Sequence, residues 1–328
     1  MTTIPDDQLY KNAARAKGRV VVITGGANGI GKETALTFAK HGAKVVIGDL
    51  DVSGGEAVVA EIKRKGGNAA FTRCDVLNWD NQVALFDLAL SSFGSVDIVC
   101  AIAGLTETGN AAQGSLTFEN GKPQPPQLKT LQVNLVGVFY TCHLAVYHLQ
   151  QNRTANDCKS LILMGSMSSW QSIPGGPQYS ASKHAVLGLM RSLHMTLEPE
   201  RIRTAVVHPW FADTAIVPTV VKVALAGIPL TPVSRIAGAV FYAALDADAS
   251  SDGAPWLLPD DGPVFLLPQE KLTTGVYGLI NTRAERAKGV VQSAKLTVAF
   301  FRDIARIIGP LRLLIIVAAA ASVAYSRI

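Results

Sequence analysis

Charged side chains are sparse in this chain: Asp, Glu, Lys and Arg make up 17% of its 328 residues, against 48% hydrophobic residues. That balance excludes extensive disorder, and the length is ample for one large α/β domain with a buried core. Cysteine is also scarce. Cys74, Cys100, Cys142 and Cys158 show no CxxC pair and no regular spacing, which argues against a disulfide framework and a zinc site, so no metal is expected. The thiols read as reduced and intracellular. Residues 1–17 are polar and lack the apolar core of a secretory signal, so a cytoplasmic location is expected. The body has no basic excess: from Lys271 onward nine Lys or Arg face two acids, whereas the residues before it hold 21 basic and 23 acidic. The formal charge of +5 therefore belongs to the tail, and no nucleic-acid partner is expected.

What is present begins with a β-branched run, Arg19 to Thr24, that reads as a strand covered on both faces. It leads into Gly25-Gly26-Ala27-Asn28-Gly29-Ile30-Gly31, and Lys32 to Lys40 then reads as helix. Glycines let the backbone turn tightly and approach a pyrophosphate, whose charge is favoured at a helix N-terminus. The next strand, Lys44 to Gly48, ends in Asp49. A carboxylate there accepts hydrogen bonds from an adenosine ribose and repels a 2′-phosphate, favouring NAD over NADP, although a plain turn aspartate would look the same. Lys32, a basic residue near the loop, argues the other way.

Strand and helix continue to alternate: a helix at 54–65, a strand at 69–73, a helix at 78–93 and a strand at 96–101. This predicts a single-domain, doubly wound Rossmann-type parallel sheet whose ligand lies beyond the carboxyl ends of the strands. Residues 105–127 lapse into Gly, Asn, Gln, Thr and Pro, as a binding loop or a disordered one would. Helical periodicity resumes near Leu128 and contains Asn134; a strand at 159–164 delivers Ser166. A long helix to about Glu198, a strand at 203–207, a helix at 232–247 and a last strand at 254–258 complete the body. The helices beginning near Leu128 and Gln178 are apolar on more than one face, which suits either a core or contacts in a homo-oligomer. His208, at a strand end, reads as a packed or hydrogen-bonded residue. Phe211 to Thr231 reads as a cover over an apolar substrate, lined by Ile216, Val217, Val220, Val221, Val223 and Leu225, with core packing as the alternative.

The chemistry centres on Tyr179-Ser180-Ala181-Ser182-Lys183. Residues four apart share a helix face, so Lys183 would hold its ammonium beside the Tyr179 ring. Lowering a phenol pKa by roughly three units takes about 4 kcal/mol, which Lys183 and a positively charged nicotinamide could jointly supply. Tyr179 would then exchange the proton of an alcohol. An exposed helical face would give the same spacing.

In these motifs the chain resembles the short-chain dehydrogenases/reductases over residues 18–268. Thr24, Gly25, Asn28, Gly29, Ile30 and Gly31 fall in its TGxxxGxG cofactor loop, Asp49 matches its NAD-selecting acid, and Asp75-Val76 resembles its adenine-contacting pair. Asn134, Ser166, Tyr179 and Lys183 match its catalytic tetrad in order and spacing. The stretches at 209–216 and 253–258 are more similar to the hydroxyprostaglandin-dehydrogenase-like branch. The resemblance implies that Tyr179 is the general acid/base, that Ser166 binds the substrate oxygen, that Lys183 also grips the nicotinamide ribose, and that Asn134 holds a proton-relaying water. Further cofactor contacts fall on Ala103, Gly104, Pro209 and Thr214. Two departures stand out. The family's NNAG is here Ala101-Ile102-Ala103-Gly104, losing both amides, and its PG turn is Pro209-Trp210, where a Trp cannot reach φ > 0 cheaply. The function implied is an NAD-dependent oxidoreductase acting on an apolar secondary alcohol or ketone of terpenoid, steroid or lipid type. The alternatives are an idle cofactor-binding scaffold on a membrane and an NADPH-dependent ketone reductase.

The expected segments are thus a polar extension (1–17), the dinucleotide-binding catalytic domain (18–268) and a basic helical tail (269–328). In the tail Leu296, Phe300, Ile304 and Ile308 share one helical face, and 313–325 carry no charge. Thirteen residues reach roughly 20 Å, short of a bilayer core of about 30 Å. An interfacial anchor on the cytosolic face of a membrane is the expectation, with a helix packed on the body or a partner as the alternative.

Overall fold

The computed structural model describes residues 2–109, 116–151, 158–171, 173–212, 214, 217, 222–223 and 225–267, and in the tail 286, 289–290, 293–299, 302 and 305–306. By internal contacts the chain divides into residues 1–269 and 270–328; the first unit carries everything below.

In chain order the elements are β1 (Thr2–Ile4), β2 (Val20–Thr24), α1 (Gly29–Lys40), β3 (Lys44–Asp49), α2 (Val52–Arg64), β4 (Asn68–Arg73), α3 (Trp79–Phe93) and β5 (Ile98–Ala101). A small hairpin follows, β6 (Phe118–Glu119) and β7 (Lys122–Pro123), then α4 (Lys129–Leu131), a π-helical turn (Gln132–Gly137) and α5 (Val138–Leu149). The rest comprises β8 (Lys159–Met164), α6 (Pro177–Leu197), β9 (Ile202–Pro209), α7 (Val233–Leu245), β10 (Pro255–Leu258) and β11 (Val264–Leu266). Nine strands form one sheet in the order β1-β11-β10-β9-β8-β5-β2-β3-β4, parallel from β10 to β4.

β2 pairs with both β3 and β5, so the winding direction reverses beside Thr24 and Ala101. At such a switch point the crossovers on either side diverge and leave a crevice beyond the strand ends. The sheet's two faces bury separate cores. One sets Phe38 of α1 against Phe241 of α7, ring centroids 4.9 Å apart; the other gathers Leu85 and Phe86 of α3, Leu149 of α5 and Met190 of α6. At the opposite end of the strands Lys159 is buried against Asp97, Nζ 2.8 Å from Oδ1, while Asp97 Oδ2 accepts the Val20 N–H at 2.8 Å. That pair ties the starts of β2, β5 and β8 together, away from the crevice.

The expected doubly wound sheet forms, mainly parallel, with two additions at its edge. The sheet is not wholly parallel, since β11 returns antiparallel to β10 and β1 pairs antiparallel with β11. Nor does the polar N-terminal stretch stand apart: Ile4, Leu9 and Ala16 are buried and Tyr10 stacks on His41 at 5.4 Å. The physical reason is the sheet edge, where β11 would otherwise present unpaired N–H and C=O groups; β1 covers it.

Among the described residues no helix is long and apolar enough to cross a membrane, and nothing there supports membrane attachment. The stretch 313–325, on which the anchor expectation rests, lies outside the described residues, as do Phe300, Ile304 and Ile308 of the apolar face.

Candidate active site

A cavity of about 720 Å³ lies at the switch point. Gly25, Asn28, Gly29, Ile30, Gly31, Asp49, Asp75 and Val76 border one end; Ser166, Tyr179, Lys183, Trp210, Phe211 and Val217 border the other. Ala103, Gly104, Pro209 and Thr214 lie along it as well. The structure therefore gathers the expected site residues around one space, except Thr24 and Asn134, which stand just behind its wall.

The glycine loop is shaped by close approach. Gly25 takes φ +75°, and a Cβ there would fall 2.7 Å from Ala103 Cα. A Cβ on Gly31 would collide with the Gly25 carbonyl oxygen. Helix α1 begins at Gly29, three residues earlier than expected, so its first free N–H groups belong to the glycine loop itself. Asp49, half-buried at the end of β3, braces this loop: Oδ2 accepts the Ala27 N–H at 2.9 Å and Oδ1 the Asp51 N–H at 3.0 Å. Each oxygen keeps a second lone pair. Lys32 lies 3.8 Å from the Glu61 carboxylate. The Asn28 amide donates to Asp51 at 2.8 Å. Asp75 Oδ1 accepts the Leu77 N–H at 3.0 Å, which fixes the turn that presents Val76.

Neither sequence departure distorts the site. Ile102 joins the core, and the Ala103 N–H reaches Thr24 Oγ1 at 3.4 Å. Trp210 is absent from the residues with positive φ, and its N–H donates to the Leu258 carbonyl at 2.7 Å. The strain expected of a Trp in place of Gly is thus corrected, because pairing with the end of β10 keeps the backbone on an ordinary path.

At the far end, Ser166 follows β8 and caps a short turn, its Oγ accepting the Ser168 N–H at 3.1 Å. Tyr179 borders the same end of the cavity. Burial raises the phenol pKa and the Ser166 side chain pulls it down. The Lys183 ammonium lies beside the Tyr179 ring as the spacing implied, 5.7 Å from its centroid, and donates to the Met164 carbonyl at 2.8 Å. Burial lowers the Lys183 pKa itself to about 8. Asn134 lies in the π-turn with both amide atoms engaged; Oδ1 accepts the Leu105 N–H at 2.7 Å, and Nδ2 donates to the Leu105 carbonyl at 2.8 Å and to Ser182 Oγ at 3.2 Å. His208 Nδ1 is 2.9 Å from the Ser166 carbonyl oxygen, and burial pushes its pKa down to about 3, so it is a neutral prop behind Ser166.

The Lys183 shift has a sign that can be tested. The folded chain holds this proton less tightly than the unfolded chain, so the destabilisation is complete below about pH 8 and fades as pH rises toward 10.5. Lys183→Met is expected to raise stability by about 1–2 kcal/mol at pH 7, after loss of the Met164 bond. Thermal unfolding at pH 7 and pH 10 checks this: the gain should shrink at the higher pH.

Of the expected substrate cover, Val217 borders the cavity, Val223 is exposed, Leu225 is half-buried, and Ile216, Val220 and Val221 lie outside the described residues. Trp210 and Phe211 meet edge to face at 4.9 Å and supply an apolar wall. Sequence reasoning missed Glu107. Its carboxylate accepts the Tyr179 N–H at 2.8 Å and the Gln178 N–H at 3.4 Å, while Gln178 Nε2 donates to the carbonyls of Thr108 and Gln127 at 3.1 and 2.8 Å. Glu107 is the one acid between Asp97 and Glu119, and that isolation was the available signal. Among the described residues no group of three His, Cys, Asp or Glu is placed to hold a metal.

A doubly wound sheet with a glycine loop at its switch point, facing a serine, a tyrosine and a lysine across one cavity, defines a nucleotide-binding oxidoreductase. The chain belongs to the short-chain dehydrogenase/reductase family: the family model described as short chain dehydrogenase matches residues 19–223. It is 33% identical over 216 residues to 5'-hydroxyaverantin dehydrogenase of Dothistroma septosporum, covering 62% of this chain and 70% of that one. It is 32% identical over 272 residues to (+)-borneol dehydrogenase 1 of Salvia officinalis, covering 81% and 96%. Among solved structures, 3-ketoacyl-(acyl-carrier-protein) reductase from Brucella melitensis complexed with NADH is similar at a TM-score of 0.66 and 28% identity, over 75% of this chain and 98% of that one.

Proposed function

We propose that the protein oxidises an apolar secondary alcohol to a ketone with NAD, using Tyr179 as general base. The observation that carries this reading is the single cavity bordered by Ser166, Tyr179 and Lys183 at one end and by the glycine loop with Asp49 at the other. The names of two relatives, dehydrogenases of hydroxyaverantin and of borneol, support the substrate class.

The residues fit a dinucleotide. The glycine loop would take the pyrophosphate at the start of α1, the lone pairs left on Asp49 the adenosine ribose, and Asp75 with Val76 the adenine. The Thr214 hydroxyl is buried without a partner, leaving a polar atom for the nicotinamide end beside Ala103, Gly104 and Pro209. When bound, the cofactor would supply the hydride acceptor and a positive charge near the phenol. Ser166 would hold the substrate oxygen while Tyr179 removes its proton. Lys183, fixed by Met164, keeps two N–H groups for the ribose and for the phenolate as it forms. Asn134 clamps Leu105 in the cavity wall, so the proton relay assigned to it would run beside an amide already engaged. A second copy of the chain is the macromolecular partner that suits the exposed Val136 of the π-turn and Phe139 and Tyr147 of α5.

Asp49 is proposed to select NAD, and Lys32, paired with Glu61, offers a 2′-phosphate little. Asp49→Ala is expected to weaken NAD binding about tenfold and to narrow the preference over NADP, as read by titration of both nucleotides. Wild-type assays with NAD and NADP over a panel of terpenoid and steroid alcohols test the function as a whole. No reduced cofactor with any of them would end this reading.

A further inference from the structure

The substrate end of the cavity has a second polar pole, Glu107, that removal of a proton from an alcohol does not require. The carboxylate is half-buried at the start of α6, borders the same cavity as Ser166 and Tyr179, and holds the first turn of the helix that carries Tyr179. No side chain of α6 itself caps that turn, so part of its role is structural. A carboxylate offers about four lone-pair directions. Two backbone N–H groups take one on each oxygen, Oε2 from Tyr179 and Oε1 from Gln178, the latter at a long 3.4 Å. Acceptor capacity is left over where the carboxylate borders the cavity. The other charged groups bordering the cavity outside its cofactor end are Lys183, committed to Met164, and the exposed Lys129. Nearby Trp210, Phe211 and Ile173 are apolar. An apolar chamber with one ionised acceptor penalises a substrate that leaves the acceptor dry and unpaired, and favours one that brings a donor.

We infer that Glu107 is a specificity-determining residue that accepts a hydrogen bond from a second hydroxyl of the substrate, so that the preferred substrates are diols or hydroxylated ring alcohols rather than simple mono-alcohols. This rests on the dehydrogenase reading above and narrows its substrate class. An ether oxygen at the same place cannot donate, which separates hydrogen bonding from size.

The test compares cyclohexane-1,2-, -1,3- and -1,4-diol and the corresponding decalin diols with their monomethyl ethers, using wild-type protein with NAD and with NADP. At one spacing at least, kcat/KM for the diol is expected to exceed that for its ether by about tenfold or more, mainly through KM. In Glu107→Gln the amide oxygen retains the Tyr179 N–H and the amide nitrogen, a donor, takes the other position, so the ratio should fall to about one or invert. Glu107→Ala should also lose the ratio; nucleotide titration and thermal unfolding report whether each variant is folded. A wild-type ratio near one at every spacing, or a ratio kept in a folded Glu107→Gln, overturns the inference while leaving the dehydrogenase reading standing. No oxidation of any alcohol by the wild type overturns both.

Discussion

Replacing Tyr179 with Phe is expected to lower kcat by about 10²–10⁴-fold, the range covered by one general acid/base group, with NAD affinity within a few-fold of wild type. The separation follows from position. The glycine loop is braced by the Asp49 carboxylate at one end of the cavity, whereas the phenol borders the other end with Ser166. In the protein alone burial holds the phenol above its ordinary value and Ser166 only partly offsets this. A cofactor's positive charge would therefore be needed beside that of Lys183, whose ammonium donates to Met164 and keeps two N–H groups. The kcat profile of the wild type should accordingly fall on the acid side, where the phenol stays protonated, and this limb should vanish in the residual activity of the Phe variant. Stopped-flow turnover and NAD titration of the same preparations measure the two halves. Turnover near the wild-type rate would remove Tyr179 from the chemistry.

Gly31→Ala is expected to weaken nucleotide binding by about a hundredfold or more, roughly 3 kcal/mol, and to lower the melting temperature. The added methyl would collide with the Gly25 carbonyl oxygen, a backbone atom that cannot rotate away. Gly25 has no room to retreat, since it is already packed on Ala103. The loop must open, and with it the path of its N–H groups toward the pyrophosphate. Gly188→Ala is the control: nothing lies within 4 Å of a Cβ there, and the position is inside an exposed face of α6. It should gain about 0.5–1 kcal/mol and leave nucleotide binding unchanged. Isothermal titration and thermal unfolding of both variants give the comparison. Equal affinity of Gly31→Ala and wild type would mean that the loop does not cradle the nucleotide.

The parallel body of the fold was legible because its strands are continuous apolar runs separated by helices of ordinary length; β8 is bounded as the residues suggested. The glycine loop, Asp49, Ser166, Tyr179 and Lys183 were legible because each follows a strand or opens a helix, where the topology must place it. The misses have particular causes. β1 and β11 are three residues each, too short for a period to show. Asn120-Gly121 did carry a signal, both residues at positive φ between β6 and β7, yet it was passed over inside a polar stretch read as one loop. The π-turn at Gln132–Gly137 leaves no mark in apolar periodicity, and the role of Glu107 depends on α6 arriving 70 residues later in the chain. The Tyr179–Lys183 spacing was legible as geometry, whereas the carbonyl that also meets the ammonium comes from β8 and left no mark near the motif.

The antiparallel edge where β1 meets β11 has a consequence for synthesis. Strand β1 has no partner until β11, far later in the chain, has been made. During translation Ile4 and Leu9 must therefore wait uncovered, and closing this edge is a late step with long loop closure to overcome. Nascent chains halted before Val264 should be cleaved readily near Thr2 by added protease, and released full-length chains should resist.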